Sequence, residues 1–117
     1  MALNDYEIVL KAAADPARVR ILKLLGGREL CVYQLMELLA LSQSTISGHL
    51  SLLKKAGLVN DRRDGRWVHY SLCDKKRNQY ALPMLALILG WLDDDPKVRA
   101  DQRRLASRTK KNDSRRD

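Results

Sequence analysis

Two short amphipathic segments, separated by a two-residue link, restrict the fold of this 117-residue chain more than any other feature. Apolar residues recur at helical spacing in residues 32–39 and again in residues 42–57. Ser42 is a favourable N-cap for the second segment, and Gly57 is a typical stop signal. Earlier in the chain, Asp15-Pro16 supplies an N-cap and a first-turn proline for another helix. Two short helices joined by a tight turn form a helix-turn-helix. We therefore expect this motif at the centre of the chain.

The second helix of this motif has a polar face without acidic residues. Ile46, Leu50 and Leu53 are expected to point into the core, which leaves small hydrogen-bonding side chains on the opposite side. A helix that enters the major groove needs such donors and acceptors, without bulk or negative charge. A solvent-exposed polar face is the alternative if this helix is considered alone. The side chains predicted to contact DNA are Gln43, Ser44, Thr45, Ser47, Ser51, Lys54 and Lys55.

A β-hairpin is predicted directly after the motif, in the stretch NDRRDGRWVHYSL. Asp64-Gly65 is a strong signal for a two-residue turn, and apolar and polar residues alternate after it. The tip of the hairpin has three arginines, Arg62, Arg63 and Arg66. A projecting basic hairpin beside a recognition helix is typical of the wing of a winged helix, where guanidinium groups contact phosphates or the minor groove.

The net charge of +8 is concentrated in two blocks of the chain. Residues 42–77 contain eight basic and three acidic residues, and residues 97–117 contain nine basic and three acidic residues. The first block coincides with the predicted DNA-contacting surface. The second is predicted to be a basic helix over residues 97–105, capped by Asp95, followed by a partly disordered tail.

The length and the helical patterns predict a single domain over residues 1–96, followed by the basic C-terminal helix and tail of residues 97–117. The fold class is mainly α with a small β-hairpin, in the order α-α-α-α-β-β-α, as in a winged helix-turn-helix. The apolar stretch within residues 80–92 is too short to span a bilayer. We therefore expect no membrane partner and a cytoplasmic location, and the two cysteines fit a reducing compartment.

The stretches ELCVYQLMELLALSQSTISGHLSLLKKAGLV and DRRDGRWVHYSL resemble the core of the ArsR/SmtB family of bacterial and archaeal transcriptional repressors. The resemblance extends over about residues 5–92. It implies a winged-helix homodimer that binds double-stranded, pseudo-palindromic operator DNA and leaves it when an effector binds. It also implies that His49 faces DNA with the rest of the recognition helix, and that residues 3–13 and 80–92 form the dimer interface.

Cys31 and Cys73 are the candidate effector residues. The arsenite-sensing branch of the family has a second cysteine where Tyr33 stands here, and often a third near Met36. Trivalent arsenic needs two or three thiolates, so the usual motif is incomplete in this chain. Three alternatives stay open: a relocated site for arsenic or another soft metal that uses both cysteines, a thiol-redox pair, and two small apolar fillers in a protein with an organic effector.

Other functional classes have weaker support in the sequence. The family's second metal site uses Asp and His of the last helix, but residues 79–92 contain no histidine, so we predict no metal ligands there. A winged helix that binds proteins would be expected to have an acidic or apolar recognition face, and the face predicted here is neither. An enzyme is not expected, because the chain has no Ser/His/Asp grouping and no glycine-rich phosphate loop.

Overall fold

The computed structural model of the protein describes residues 2–75 and 77–115, and it describes side chains as far as residue 108. The chain is mainly helical with one small antiparallel sheet, which is the predicted fold class. The elements, in chain order, are α1 (Leu3–Ala14), α2 (Pro16–Leu24), β1 (Leu30–Cys31), α3 (Val32–Leu39), α4 (Gln43–Lys55), β2 (Val59–Asp64), β3 (Trp67–Leu72), α5 (Ala81–Gly90) and α6 (Pro96–Arg115).

Side-chain N-caps start two of the helices at the predicted positions. The Asp15 carboxylate accepts hydrogen bonds from the backbone amides of Ala17 and Arg18, at 2.8 and 3.1 Å, and so caps α2. The Ser42 hydroxyl accepts a hydrogen bond from the Thr45 amide at 3.3 Å and caps α4. These contacts satisfy amides that have no acceptor within their own helix. Both N-cap predictions are confirmed.

The core lies around α2 and α4. The apolar residues Ile21, Leu22 and Leu24 of α2 are completely buried, as is Leu25 directly after it. The three α4 residues predicted to face the core are buried as well. Because α2 contacts α1, α4, α5 and α6, it lies at the centre of the helical packing. Burial of these side chains fixes the orientation of α4 and leaves its polar face outward.

The sheet has one strand more than the predicted hairpin. Strands β2 and β3 pair as expected, but β1 adds to the other edge of β3, with Leu30 opposite Tyr70 and Cys31 opposite His69. A two-residue strand is too short to show any periodicity in sequence, so its pairing comes only from the fold. The predicted order of elements therefore lacked one strand between α2 and α3.

The wing turn lies one residue later than predicted. Asp64 pairs with Trp67, so the two-residue loop is Gly65-Arg66 and not Asp64-Gly65. Gly65 has φ +61°, a left-handed conformation that glycine adopts without steric cost. As a consequence Arg66 belongs to the loop itself and stands at the tip of the wing.

Helix α5 is apolar on both its inner and its outer side. Ala81, Leu85 and Ile88 are buried against the rest of the chain. The rings of Tyr6 in α1 and Tyr80 pack edge to face, 5.6 Å apart, and so connect α1 to the start of α5. Large apolar side chains that stay exposed on or beside these two helices are Leu3, Tyr6, Leu82, Leu87, Leu89, Trp91 and Leu92.

Helix α6 is longer than the helix predicted over residues 97–105. It extends to Arg115, and the predicted cap is present, because the Asp95 carboxylate accepts hydrogen bonds from the amides of Lys97 and Val98 at 2.9 and 3.0 Å. The partial disorder of the tail stays a prediction, and its last two residues, 116 and 117, lie outside the described residues.

Candidate nucleic-acid interface

The polar face of α4 is open to solvent. Its side chains can contact DNA because the core residues of the same helix turn away from them. The first turn contains no acidic residue, and the Ser42 hydroxyl donates a hydrogen bond to the Thr45 hydroxyl at 2.9 Å. Of the residues predicted to contact DNA, Ser47 and His49 are half-buried, and the exposed ones on α4 are Gln43, Ser44, Thr45, Ser51, Lys54 and Lys55.

His49 contacts the protein itself. Its Nδ1 lies 3.3 Å from Nη1 of Arg18, and Nε of Arg18 donates a hydrogen bond to the carbonyl of Ala12 at 2.9 Å. This chain of contacts ties α4 to the junction between α1 and α2. A contact of His49 with DNA stays a prediction.

The wing presents two arginines without a carboxylate partner among the described residues. Arg63 and Arg66 are both exposed. The guanidinium carbon of Arg66 lies 5.4 Å from the centre of the Trp67 ring, within the range of a cation–π contact. Such a contact restrains the Arg66 side chain while its N–H donors stay available for a phosphate.

Two of the predicted phosphate-binding cations already have carboxylate partners. Arg62 donates hydrogen bonds to both carboxylate oxygens of Glu29, with the shortest distance at 2.8 Å, and Lys54 binds Asp61 at 2.8 Å. The hydrogen bond from Arg62 lowers the pKa of Glu29, and the hydrogen bond from Lys54 lowers the pKa of Asp61. These ion pairs are therefore complete above the ordinary carboxyl pKa and are lost only as the pH falls through the lowered values.

Sequence reasoning missed both ion pairs. Glu29 and Arg62 are far apart along the chain, and only the pairing of β1 and β2 with β3 brings them together. A phosphate that binds Arg62 must compete with Glu29, so this arginine is less available to DNA than Arg66.

The two cysteines are buried in different parts of the sheet region. Cys31 of β1 lies opposite His69 of β3, and Cys73 comes four residues after His69 in the chain. The Cys73 Sγ donates a hydrogen bond to the Lys75 carbonyl at 2.7 Å. At ~3.3 Å per residue, about 13 Å separate the two cysteine positions. This exceeds the ~7 Å limit for a disulfide and the reach of one shared metal ion. Within one chain the sheet therefore holds the two cysteines apart, and a thiolate site that combines Cys31 and Cys73 from two chains stays a prediction.

A cavity of about 490 Å³ lies between α3 and the wing, and we call it the α3–wing cavity. It brings the N-terminal end of the recognition helix and the tip of the wing to one place, because Gln43 and Arg66 both line it. Two aromatic side chains, Tyr33 and Trp67, also line the cavity. Two sulfur-containing side chains, Cys31 and Met36, line it as well. In the described part of the chain, no three His, Cys, Asp or Glu residues lie close enough to hold a metal ion.

Comparison with known proteins identifies the family. The sequence model of the family described as "Bacterial regulatory protein, arsR family" matches residues 15–61. The arsenical resistance operon repressor of Escherichia coli is 38% identical over 109 residues, which cover 91% of this chain and 89% of that protein. The chain belongs to the ArsR family. Because the members are DNA-binding transcriptional regulators and not enzymes, the predictions of a DNA-binding regulator and of no enzyme activity are confirmed.

Solved structures of ArsR-type regulators have the same fold. HlyU from Vibrio cholerae is 36% identical with a TM-score of 0.62, over 73% of this chain and 88% of that one. The homodimeric winged helix-turn-helix DNA-binding domain of a possible ArsR-family regulator from Mycobacterium bovis is 30% identical. Its TM-score is 0.63, over 74% of this chain and 76% of that one. Within the described residues of this ArsR-family chain, no helix is long and apolar enough to cross a bilayer.

Proposed function

We propose that this ArsR-family regulator is a homodimeric repressor that binds a pseudo-palindromic operator and is released by an effector. One observation carries the proposal: Gln43, at the start of the recognition helix, and Arg66, at the tip of the wing, border the same cavity. A helix that contacts base edges and a wing that contacts phosphates therefore share one surface. Since that DNA is in the cytoplasm, we propose that the protein acts there, without a membrane partner.

The exposed apolar side chains of α1 and α5 support the homodimer. Leu87 is 48% exposed and Trp91 is 53% exposed, on or next to a helix whose inner side is already buried. Apolar surface of this kind, when contiguous, marks an interface in soluble proteins. The homodimeric state of the related domain from Mycobacterium bovis also supports this assignment. We propose that two copies associate through residues 3–13 and 80–92.

The proposed DNA contacts divide into two groups. Gln43, Ser44 and Ser47 contact base edges in the major groove, where short hydroxyl and amide side chains can donate and accept hydrogen bonds. The cationic groups contact phosphates and supply most of the salt-dependent affinity. That second group comprises Lys54, Lys55, Arg62, Arg63 and Arg66, while Thr45, His49 and Ser51 lie on the same helix and complete its DNA-facing surface.

Replacement of Arg66 by alanine is expected to weaken binding to operator and unrelated DNA alike, and to reduce the slope of log affinity against log salt by about one unit. The reason is the loss of one phosphate contact at the wing tip. Arg62→Ala is the matched comparison and should reduce the slope by less, because Glu29 already binds that guanidinium. Fluorescence anisotropy at several salt concentrations measures both slopes. An unchanged slope for Arg66→Ala would contradict the role assigned to the wing.

We propose that the effector binds in the α3–wing cavity. An occupant there would touch α3, the start of α4 and the wing together, so it could favour a conformation with lower DNA affinity. Tyr33 and Trp67 offer aromatic surfaces, and Arg66 offers a positive charge. These groups favour a small organic molecule over trivalent arsenic, because Cys31 alone supplies one thiolate.

The first experiment is fluorescence anisotropy of the protein on DNA from upstream of its own gene, with arsenite titrated in under reducing conditions. We expect a specific complex that arsenite does not release. Absence of a specific complex would contradict the repressor proposal. Release by arsenite that Cys31→Ser and Cys73→Ser both prevent would contradict the organic effector, and would indicate a thiolate site built from the cysteines of two chains.

A further inference from the structure

Helix α6 packs on α2 and α3 through a buried carboxylate. Val98 and Leu105 are buried on its inner side, and Asp101 between them is only 1% exposed. Arg20 of α2 donates two hydrogen bonds to the Asp101 carboxylate, at 2.7 and 2.8 Å. A buried carboxylate needs such charged partners, because its desolvation is otherwise costly. The position of α6 on α2 is therefore fixed by a specific, two-point contact.

Arg104 extends this contact to the helix-turn-helix. Its Nη1 donates hydrogen bonds to Oδ1 of Asp101 at 3.2 Å and to the carbonyl oxygen of Leu38 at 3.0 Å. Leu38 is in the last turn of α3, where carbonyl groups have no helical partner and where a positive charge is favourable. Arg108 forms an ion pair with Glu37 in the same turn.

The end of α3 that α6 holds is the segment directly before the recognition helix. Ala40 follows α3 in a left-handed conformation with φ +55°, and Ser42 then caps α4. A shift of the last turn of α3 would thus be passed to the start of α4 through a link of only three residues. The contacts of Arg104 restrain this point.

Helix α6 is also connected, through α2, to the proposed dimer helix α5. Gln102 of α6 donates a hydrogen bond to the backbone carbonyl of Lys23 at 3.2 Å. The ammonium group of Lys23, which is nearly buried, donates hydrogen bonds to the carbonyl oxygens of Leu89 and Trp91 at 3.1 and 2.6 Å, and to Asp93 at 2.6 Å. Helix α6 therefore connects the C-terminal end of α5, through α2, to the end of α3.

We propose that α6 is a brace that sets the angle between the dimer helices and the helix-turn-helix, and that Arg104 is a positioning residue for operator recognition. Two recognition helices in a dimer must match half-sites about one DNA turn, ~34 Å, apart. A small rotation of the motif in each protomer would change that spacing. This inference rests on the proposed homodimeric operator complex.

The test compares Arg104→Met with the matched control Arg103→Met. Each variant removes one positive charge from an exposed, neighbouring position of α6 and keeps an unbranched apolar side chain. The Arg103 side chain makes no hydrogen bond or ion pair to the described residues, so only the first variant removes the contacts with Leu38 and Asp101. We expect Arg104→Met to bind operator about ten-fold more weakly than the control, with equal affinity of the two for unrelated DNA.

Operators with one base pair added or removed between the half-sites provide the second measurement. The wild-type protein and Arg103→Met should bind these altered operators more weakly than the natural one, whereas Arg104→Met should discriminate less between them. A purely structural role would lower the melting temperature without changing this preference. Equal operator affinity and equal spacing preference of the two variants would overturn the inference. Failure of the wild-type protein to bind its operator would instead overturn the proposed function.

Discussion

Replacement of Ser44 by glutamate is expected to weaken specific operator binding strongly while the protein stays folded. Ser44 is the second residue of α4 and is exposed on its polar face. A carboxylate at this position would lie close to phosphates and to base acceptors, and like-charge contacts of this kind cost several kcal/mol. We expect a loss of at least about 3 kcal/mol, which is on the order of a hundred-fold in affinity.

The same substitution should not destabilise the chain. An acidic residue in the first turn of a helix interacts favourably with the helix dipole, by about 0.3–1 kcal/mol. The melting temperature of Ser44→Glu should therefore equal or exceed that of the wild type. Ser44→Gln, which is similar in size to Ser44→Glu but neutral, is the matched control and should bind the operator more tightly than Ser44→Glu. Strong operator binding by Ser44→Glu would exclude this face of α4 from the DNA interface.

Replacement of Leu87 by aspartate is expected to convert the proposed homodimer into a monomer. Leu87 lies on the outer side of α5, so a symmetric interface would bury one new carboxylate from each copy. An unpaired buried charge costs about 3–5 kcal/mol, so the dissociation constant of the dimer should rise by at least about a hundred-fold. Operator affinity should fall as well, because a monomer occupies only one half-site.

Analytical ultracentrifugation at low micromolar concentrations measures this change directly. Tyr33→Asp is the matched control, because Tyr33 is an exposed apolar residue on α3, beside the wing and outside the proposed interface. The control should remain a dimer. A Leu87→Asp protein that sediments as a dimer would contradict a dimer interface on α5.

The sequence predicted the helix-turn-helix and the wing because local signals specify both. The N-caps at Asp15 and Ser42, the stop after α4 at Gly57 and the apolar spacing of α3 act within a few residues of each other. Such signals do not depend on how distant parts of the chain pack. The polar, acid-free face of α4 follows directly from that spacing, and the ArsR family resemblance rests on the same stretch of residues.

These local patterns did not predict the small strand β1 or the position of the wing turn. Two residues are too few to show strand periodicity, and the choice between neighbouring turn positions depends on strand register. Register is set when β3 pairs on both of its edges, with β1 and with β2. Arg66, and not Asp64, was thereby placed in the loop.

Sequence alone therefore determined which segments form helices, where they begin, and that one helix presents a polar face beside a basic hairpin. Tertiary structure decided which charged groups remain available to a ligand. Glu29 binds Arg62, and Asp101 binds both Arg20 and Arg104. The strand pairing also separates Cys31 from Cys73. The physical reason is that helix caps and periodicity act between near neighbours in the chain, whereas ion pairs and shared sites depend on residues that only packing brings together.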